Sequence, residues 1–149
     1  MISLPNRDFL DNKIEEFVIS SEKVAHVQIG NSAEHALLVL TKTGYSAIPV
    51  LDSKYKFRGL INAQRITDSI LGMDHIEYER LPDIKVEEIM LTDFPLIQIT
   101  ERFQKALDLL IDQNFLCVVD EDGMFMGILT RRIVLKQLKK QIYQIRNNQ

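Results

Sequence analysis

The sequence predicts an α/β (α+β) fold written twice, as two small βαββα units in tandem packed about a pseudo-twofold axis. Three observations predict it. Short apolar strands alternate with stretches of helical periodicity in the order strand, helix, strand, strand, helix. That order then recurs: Ile14-Glu15-Glu16-Phe17-Val18 returns as Val86-Glu87-Glu88-Ile89-Met90, and Phe57-Arg58-Gly59-Leu60-Ile61 as Phe125-Met126-Gly127-Ile128-Leu129. Finally, 149 residues, 46% of them hydrophobic, suit one compact domain or two half-size units sharing a core.

The elements follow in order. Residues 8–18 read as a short amphipathic helix opened by Asn6 or Asp8, and Ser20-Ser21-Glu22-Lys23 as a looser stretch. Val24-Ala25-His26-Val27-Gln28-Ile29 alternates as an edge strand does. Asn31-Ser32 then caps a helix with Ala33, Ala36, Leu37, Leu40 and Thr41 on one face, which stops at Gly44. Ser46–Leu51 is a strand, Asp52-Ser53-Lys54 a turn, and Phe57–Ile61 a second strand leading into a helix that stops at Gly72. Residues 73–85, with Pro82, lack a clear period and read as a linker. The pattern restarts after it, with Ile97-Gln98-Ile99, a helix bearing Phe103, Ala106, Leu107, Leu110 and Ile111, and Val118-Val119-Asp120. Spacing between the copies falls from 72 residues (Ile14 to Val86) to 70 (Ala36 to Ala106) to 68 (Gly59 to Gly127). The second copy has therefore lost residues before its first strand and again between its helix and second strand. The repeats run over 12–72 and 86–145.

Composition removes several functional classes. Eighteen basic and 21 acidic residues give a net charge of −3, with no long block of one sign before the last helix, so bulk nucleic-acid binding is not expected. No apolar run approaches the ~18 residues of a membrane span. Asn6, Arg7 and Asp8 soon after Met1 leave no apolar signal segment, so the expectation is a cytoplasmic protein with no membrane contact. Cys117, the single cysteine, lies in Phe115-Leu116-Cys117-Val118-Val119 and reads as a buried strand thiol, without a disulfide or thiolate cluster. His26, His35 and His75 are scattered, and neither a metal-ligand spacing, a nucleophile elbow nor a GxxxxGK loop occurs, so no enzyme, metal or cofactor is expected.

One stretch carries chemistry. In Gly127-Ile128-Leu129-Thr130-Arg131-Arg132 a buried strand runs into a helix, and Thr130 as N-cap puts Arg131 and Arg132 at the first helical positions. Cations there oppose the helix dipole at a cost of about 0.3–1 kcal/mol each, which an anion between them removes. With the free N–H groups of the first turn they make a phosphate trap; the bland alternative is that they point into solvent or pair with acidic neighbours. Farther along, Lys136, Lys139, Lys140 and Arg146 form a basic cluster that reads either as a solvated face or as a dock for an acidic partner. Leu135, Leu138, Ile142 and Ile145 form a stripe that reads either as a dimer face or as intramolecular core.

Gly44-Tyr45-Ser46-Ala47-Ile48-Pro49-Val50-Leu51-Asp52 with Gly59-Leu60-Ile61, and Val119-Asp120-Glu121-Asp122-Gly123 with Gly127–Arg132, resemble the CBS domain, the cystathionine β-synthase type. The likeness covers roughly residues 12–145 and implies tandem CBS repeats forming a stand-alone Bateman module. Such modules bind adenosine-containing ligands in the clefts between repeats and usually form dimers. Many of them hold a ribose with a Ser/Thr followed three residues on by Asp. Here Thr130 is followed by Ile133, and repeat 1 has Asn62 and Arg65, which points away from ribose-anchored AMP, ADP or ATP.

More closely, the chain is similar to small CBS-pair proteins of Gram-positive bacteria that bind cyclic di-AMP. That resemblance implies a site made of Lys23 and Ala25, then Tyr45, Ser46 and Ala47, then Arg131 and Arg132, with Thr130 beside them. In residue terms, adenine would lie against Tyr45, with Ala25 and Ala47 small enough for main-chain groups to meet its polar edge, and Lys23, Arg131 and Arg132 would hold phosphodiester oxygens. Each has a plainer alternative: Tyr45 as a half-buried strand aromatic, Lys23 as a loop lysine, Ser46 as a local backbone partner. The opposite cleft has Ala63 and Gln64 where this one has its arginines, so one ligand site per chain is expected. The resemblance further implies a homodimeric nucleotide sensor acting on a target such as the (p)ppGpp synthetase/hydrolase or pyruvate carboxylase. An AMP or ATP sensor and a constitutive scaffold with a vestigial cleft are the rival readings.

Overall fold

The computed structural model describes residues 9–147. Its strands are β1 (Ile19–Ser20), β2 (Val27–Gln28), β3 (Ala47–Leu51), β4 (Phe57–Asn62), β5 (Leu96–Gln98), β6 (Phe115–Val119) and β7 (Phe125–Thr130). Its helices are α1 (Ala33–Thr43), α2 (Ala63–Ser69), α3 (Val86–Ile89), α4 (Phe103–Leu110) and α5 (Arg131–Asn147). Two compact units result, one of residues 25–94 and the other of the residues before and after that stretch.

In the unit of residues 25–94, β2 runs parallel to β3, with Val27 opposite Val50, and β3 antiparallel to β4, with Ile48 opposite Ile61. Ser32 caps α1, its hydroxyl accepting the His35 N–H at 3.0 Å, and Asn62 caps α2, its side-chain oxygen accepting the Arg65 N–H at 2.8 Å. The apolar helix face lies on the sheet, burying Ala36, Leu40, Val50, Ile61 and Ile66 together. Helix α2 ends at Ser69, before the expected stop at Gly72, whose N–H instead meets the His75 carbonyl at 2.9 Å.

The stretch read as a linker is part of this core. Tyr78–Asp83 form a 3₁₀ turn, and Leu81 and Ile84 are buried among the residues just named. Six residues of 3₁₀ structure have too little length to show a helical period. Next to it α3 opens the second repeat yet packs on this unit: Leu91 and Leu60 exchange backbone hydrogen bonds at 2.7 and 2.8 Å. Gly59 makes room, since a Cβ there would lie 2.8 Å from the Leu91 carbonyl oxygen.

The other unit has a sheet in the order β1-β7-β6-β5. Here the opening segment of the first repeat does the mirror-image job, with Ile19 opposite Ile128 and Ser20 opposite Gly127. Gly127, at φ 147°, permits this, because a Cβ would collide with the Ile19 carbonyl oxygen. Each compact unit thus combines one repeat's sheet with the other repeat's opening segment, and its limits differ from the repeat limits of 12–72 and 86–145.

The expected helix over 8–18 is broken. Ile14 N–H donates to the Glu101 carbonyl and Phe103 N–H to the Asn12 carbonyl, both at 3.0 Å, so the backbone pairs with the other end of its own unit and resumes only as a 3₁₀ turn at Ile14–Phe17. Its proposed caps, Asn6 and Asp8, lie outside the described residues. Ser20–Lys23, expected to be loose, is ordered: Ser20 ends β1 and Ser21–Lys23 form a 3₁₀ turn. The apolar side still reaches the core: Phe9 stacks on Phe103 with centroids 4.6 Å apart, and Phe17 meets the same ring edge-on at 4.8 Å. Cys117 is fully buried in β6, and burial pushes its thiol well above the ordinary cysteine range. Among the described residues no helix is long and apolar enough to cross a membrane.

Candidate functional site

Thr130 closes β7 opposite Phe115, and its hydroxyl accepts the Ile133 N–H at 3.2 Å, capping α5. Arg131 and Arg132 therefore occupy the first two helical positions, as the spacing predicts. Their side chains diverge. Arg131 is half-buried, and its guanidinium turns back onto the end of α4: Nε donates to the Leu110 carbonyl at 3.0 Å, and Nη2 to the carbonyls of Leu110 (2.8 Å), Ile111 (3.3 Å) and Gln113 (3.0 Å). Arg132 is exposed. Beside the pair lies a hollow of about 440 Å³ that Leu135, Lys136 and Lys139 also line.

Lys136 and Lys139 lie one and two turns beyond Arg132 on the same helix face, a spacing of i+4 and i+7 that was legible in the sequence. Among the described residues of α5 there is no acidic side chain to neutralise them. The apolar stripe of this helix splits: Leu138 packs on the core, whereas Leu135 and Ile142 are 56% and 63% exposed.

In the unit of residues 25–94, Ala25, Tyr45, Ser46 and Ala47 come together at one end of the sheet. Ala47 begins β3 beside Asn62, and Ala25 stands two residues before β2, which runs parallel to β3. Tyr45 is 43% exposed, more open than a strand aromatic sunk in the core; its N–H donates to the Thr43 hydroxyl at 3.4 Å. Ala25 and Ala47 are half-buried, and Ser46 is exposed.

Lys23 is placed differently. It belongs to the unit that carries Arg132, is exposed, and closes the 3₁₀ turn after β1. Because β1 runs antiparallel to β7, with Ile19 opposite Ile128 and Ser20 opposite Gly127, the chain leading to Lys23 heads away from Thr130. Within this unit the register does not bring Lys23 to the arginine end. Ala63 and Gln64, the counterparts of the arginines, open α2 without cations; Arg65 beside them donates through Nε to the Ile89 carbonyl at 2.9 Å. No group of three or more His, Cys, Asp or Glu side chains among the described residues is arranged to hold a metal ion.

The chemistry on offer is a solvent-facing guanidinium at a helix start, flanked by ammonium groups, and an aromatic ring beside small residues and open main chain. A phosphate suits the first and a flat heterocycle the second. Comparison with known proteins gives this a family. The CBS domain pattern matches residues 14–72 and again 86–140. The chain belongs to the CBS domain family. It is 51% identical to cyclic di-AMP receptor B of Bacillus subtilis, over 95% of this chain and 97% of that one. Among solved structures, a CBS domain-containing protein of Bacillus anthracis is 56% identical with a TM-score of 0.84, over 91% of this chain and 99% of that one. The CbpB protein of Listeria monocytogenes, solved in complex with c-di-AMP, is 56% identical with a TM-score of 0.82, over 89% and 99% of the two chains. Two tandem CBS repeats therefore account for the doubled pattern, in a mixed α+β fold with one sheet to each unit.

Proposed function

We propose that this CBS pair is a non-enzymatic receptor in the cytoplasm that binds cyclic di-AMP and, according to its loading, engages or releases a target protein. The observation that carries the reading is Arg132, an exposed guanidinium on the first turn of α5 beside a hollow lined by further cations. A charge-assisted bond from the Arg132 guanidinium would meet a phosphodiester oxygen. Tyr45 would stack on adenine, while Ala25, Ser46 and Ala47 leave the main chain open to its polar edge. Likeness to a named cyclic di-AMP receptor supports the choice of ligand over AMP or ATP, as does Ile133 where a ribose-binding Asp would stand.

Calorimetric titration tests the reading. Cyclic di-AMP should bind the wild-type chain and AMP or ATP should fail to displace it, while Arg132→Ala should weaken binding roughly ten- to hundredfold, the loss of one charged hydrogen bond. Unchanged affinity in that variant would sink it. The regulated partners proposed are the (p)ppGpp synthetase/hydrolase and pyruvate carboxylase, each to be tested for ligand-dependent co-elution. Light scattering decides whether the chain is a homodimer.

A further inference from the structure

The two helices that precede the central strands end differently. Helix α1 stops at Gly44, which is left-handed at φ 74° and whose N–H closes on the Leu40 carbonyl at 2.9 Å. Its counterpart α4 reaches Leu110 and runs on into Ile111 at φ −59°, still right-handed. The shortened connection from Leu110 to Phe115 holds no glycine. A helix end leaves its last carbonyls without partners in the helix, and a left-handed glycine is the usual way of closing it.

At α4 the closing group comes from Arg131, whose Nε and Nη2 reach the carbonyl oxygens of Leu110, Ile111 and Gln113 at 2.8–3.3 Å. The Arg131 N–H adds a bond to the Asn114 carbonyl at 2.9 Å. At the matching position of the first repeat stands Ala63, which has no side-chain donor to offer, and there Gly44 already closes the helix. One helix end is thus closed by a glycine and the other by the Arg131 side chain. The charge is also well placed, since the carbonyl end of α4 is the negative end of its dipole.

We infer that Arg131 is a positioning residue: its guanidinium ties the end of α4 to the start of α5, and of the adjacent pair only Arg132 offers its charge to a nucleotide phosphate. The ligand half of this inference rests on the receptor reading above; the structural half does not. Two identical side chains, neighbours in sequence, then have separable effects.

The test uses the full chain as wild type and as Arg131→Ala, Arg131→Lys and Arg132→Ala. Thermal unfolding is followed without ligand, and cyclic di-AMP affinity is measured at low and high salt. Arg131→Ala should lower the unfolding midpoint by about 3–6 °C through unpaired carbonyls. Arg131→Lys should not restore it, because an ammonium lacks the planar fork that serves three oxygens. Both should keep the wild-type salt dependence of binding. Arg132→Ala should leave the midpoint alone, weaken binding roughly ten- to hundredfold and flatten the salt dependence, since one direct charge contact is gone.

The inference is overturned if Arg131→Ala unfolds at the wild-type midpoint, or if either Arg131 variant flattens the salt dependence as Arg132→Ala does. Should Arg131→Ala fail to fold, Arg131→Lys still decides between the two roles. If the wild type takes up no cyclic di-AMP, the receptor reading falls, and the unfolding experiments alone decide what Arg131 does.

Discussion

Replacing Gly127 by alanine tests the exchange of opening segments, on which the whole architecture depends. Gly127 sits at φ 147°, and a Cβ there would run into the Ile19 carbonyl oxygen and lie 2.8 Å from Val18 Cγ1. Both are obstacles that cannot swing aside, since one is backbone and the other a stiff β-branched side chain. Gly123, in the preceding turn, is a control: at φ 84° it has the unfavourable backbone, but nothing lies within 4 Å of an added Cβ. Gly123→Ala should therefore cost about 1–2 kcal/mol, from left-handed strain alone. Gly127→Ala carries strain of that order and also displaces β1, forfeiting the pairing of Ile19 and Ser20 with β7. At about 1 kcal/mol per lost hydrogen bond the total is roughly 3–4 kcal/mol. For a chain of this size that corresponds to a fall of about 6–16 °C in melting temperature. Urea and thermal unfolding followed by circular dichroism measure it, and hydrogen exchange at Ile19 and Ser20 should speed up. If Gly127→Ala is no more costly than Gly123→Ala, β1 does not hold the unit together as argued.

Three further outcomes are expected. Ser32→Ala removes the hydroxyl that caps α1 and should cost about 1 kcal/mol in urea unfolding, with no effect on ligand. The Asp52 carboxyl is held below its ordinary range, chiefly by the Lys56 N–H and also by the Lys54 N–H and Arg58. Its contribution is therefore present above the unfolded-state value and is lost as pH falls through the lower folded value. Asp52→Asn should flatten the loss of stability below about pH 4, read from unfolding midpoints across an acid series. Cys117, fully buried with its thiol pushed up, should resist a thiol-reactive dye in the native protein and react at once in urea; rapid native labelling would contradict the packing of β6.

Local signals determined much of this molecule. Ser32 and Thr130 were readable as caps because a cap depends on a few adjacent residues, and both accept the N–H three positions on. The doubled pattern and the alternation of strand and helix were legible for the same reason. Residues 73–85 were not, because Leu81 and Ile84 earn their burial from a partner surface that no period in their own short segment announces. The helix expected at 8–18 is helical at Phe9–Asp11 but goes no further, because Asn12 and Ile14 find backbone partners at Phe103 and Glu101, far along the chain.

The candidate site divides in the same way. Residue type and spacing alone determined that two cations open the last helix, that small residues flank Tyr45, and that the first repeat lacks equivalents of the arginines. Tertiary structure alone decided that each repeat lends its opening segment to the other's sheet and that Lys23 is led away from the arginine end of its unit. It also decided that Arg131 faces carbonyls while Arg132 faces water. A chain records what each residue can donate or accept, but the partner is chosen by distance in space, and Leu110 comes within reach of Arg131 only after the strands between them have folded back.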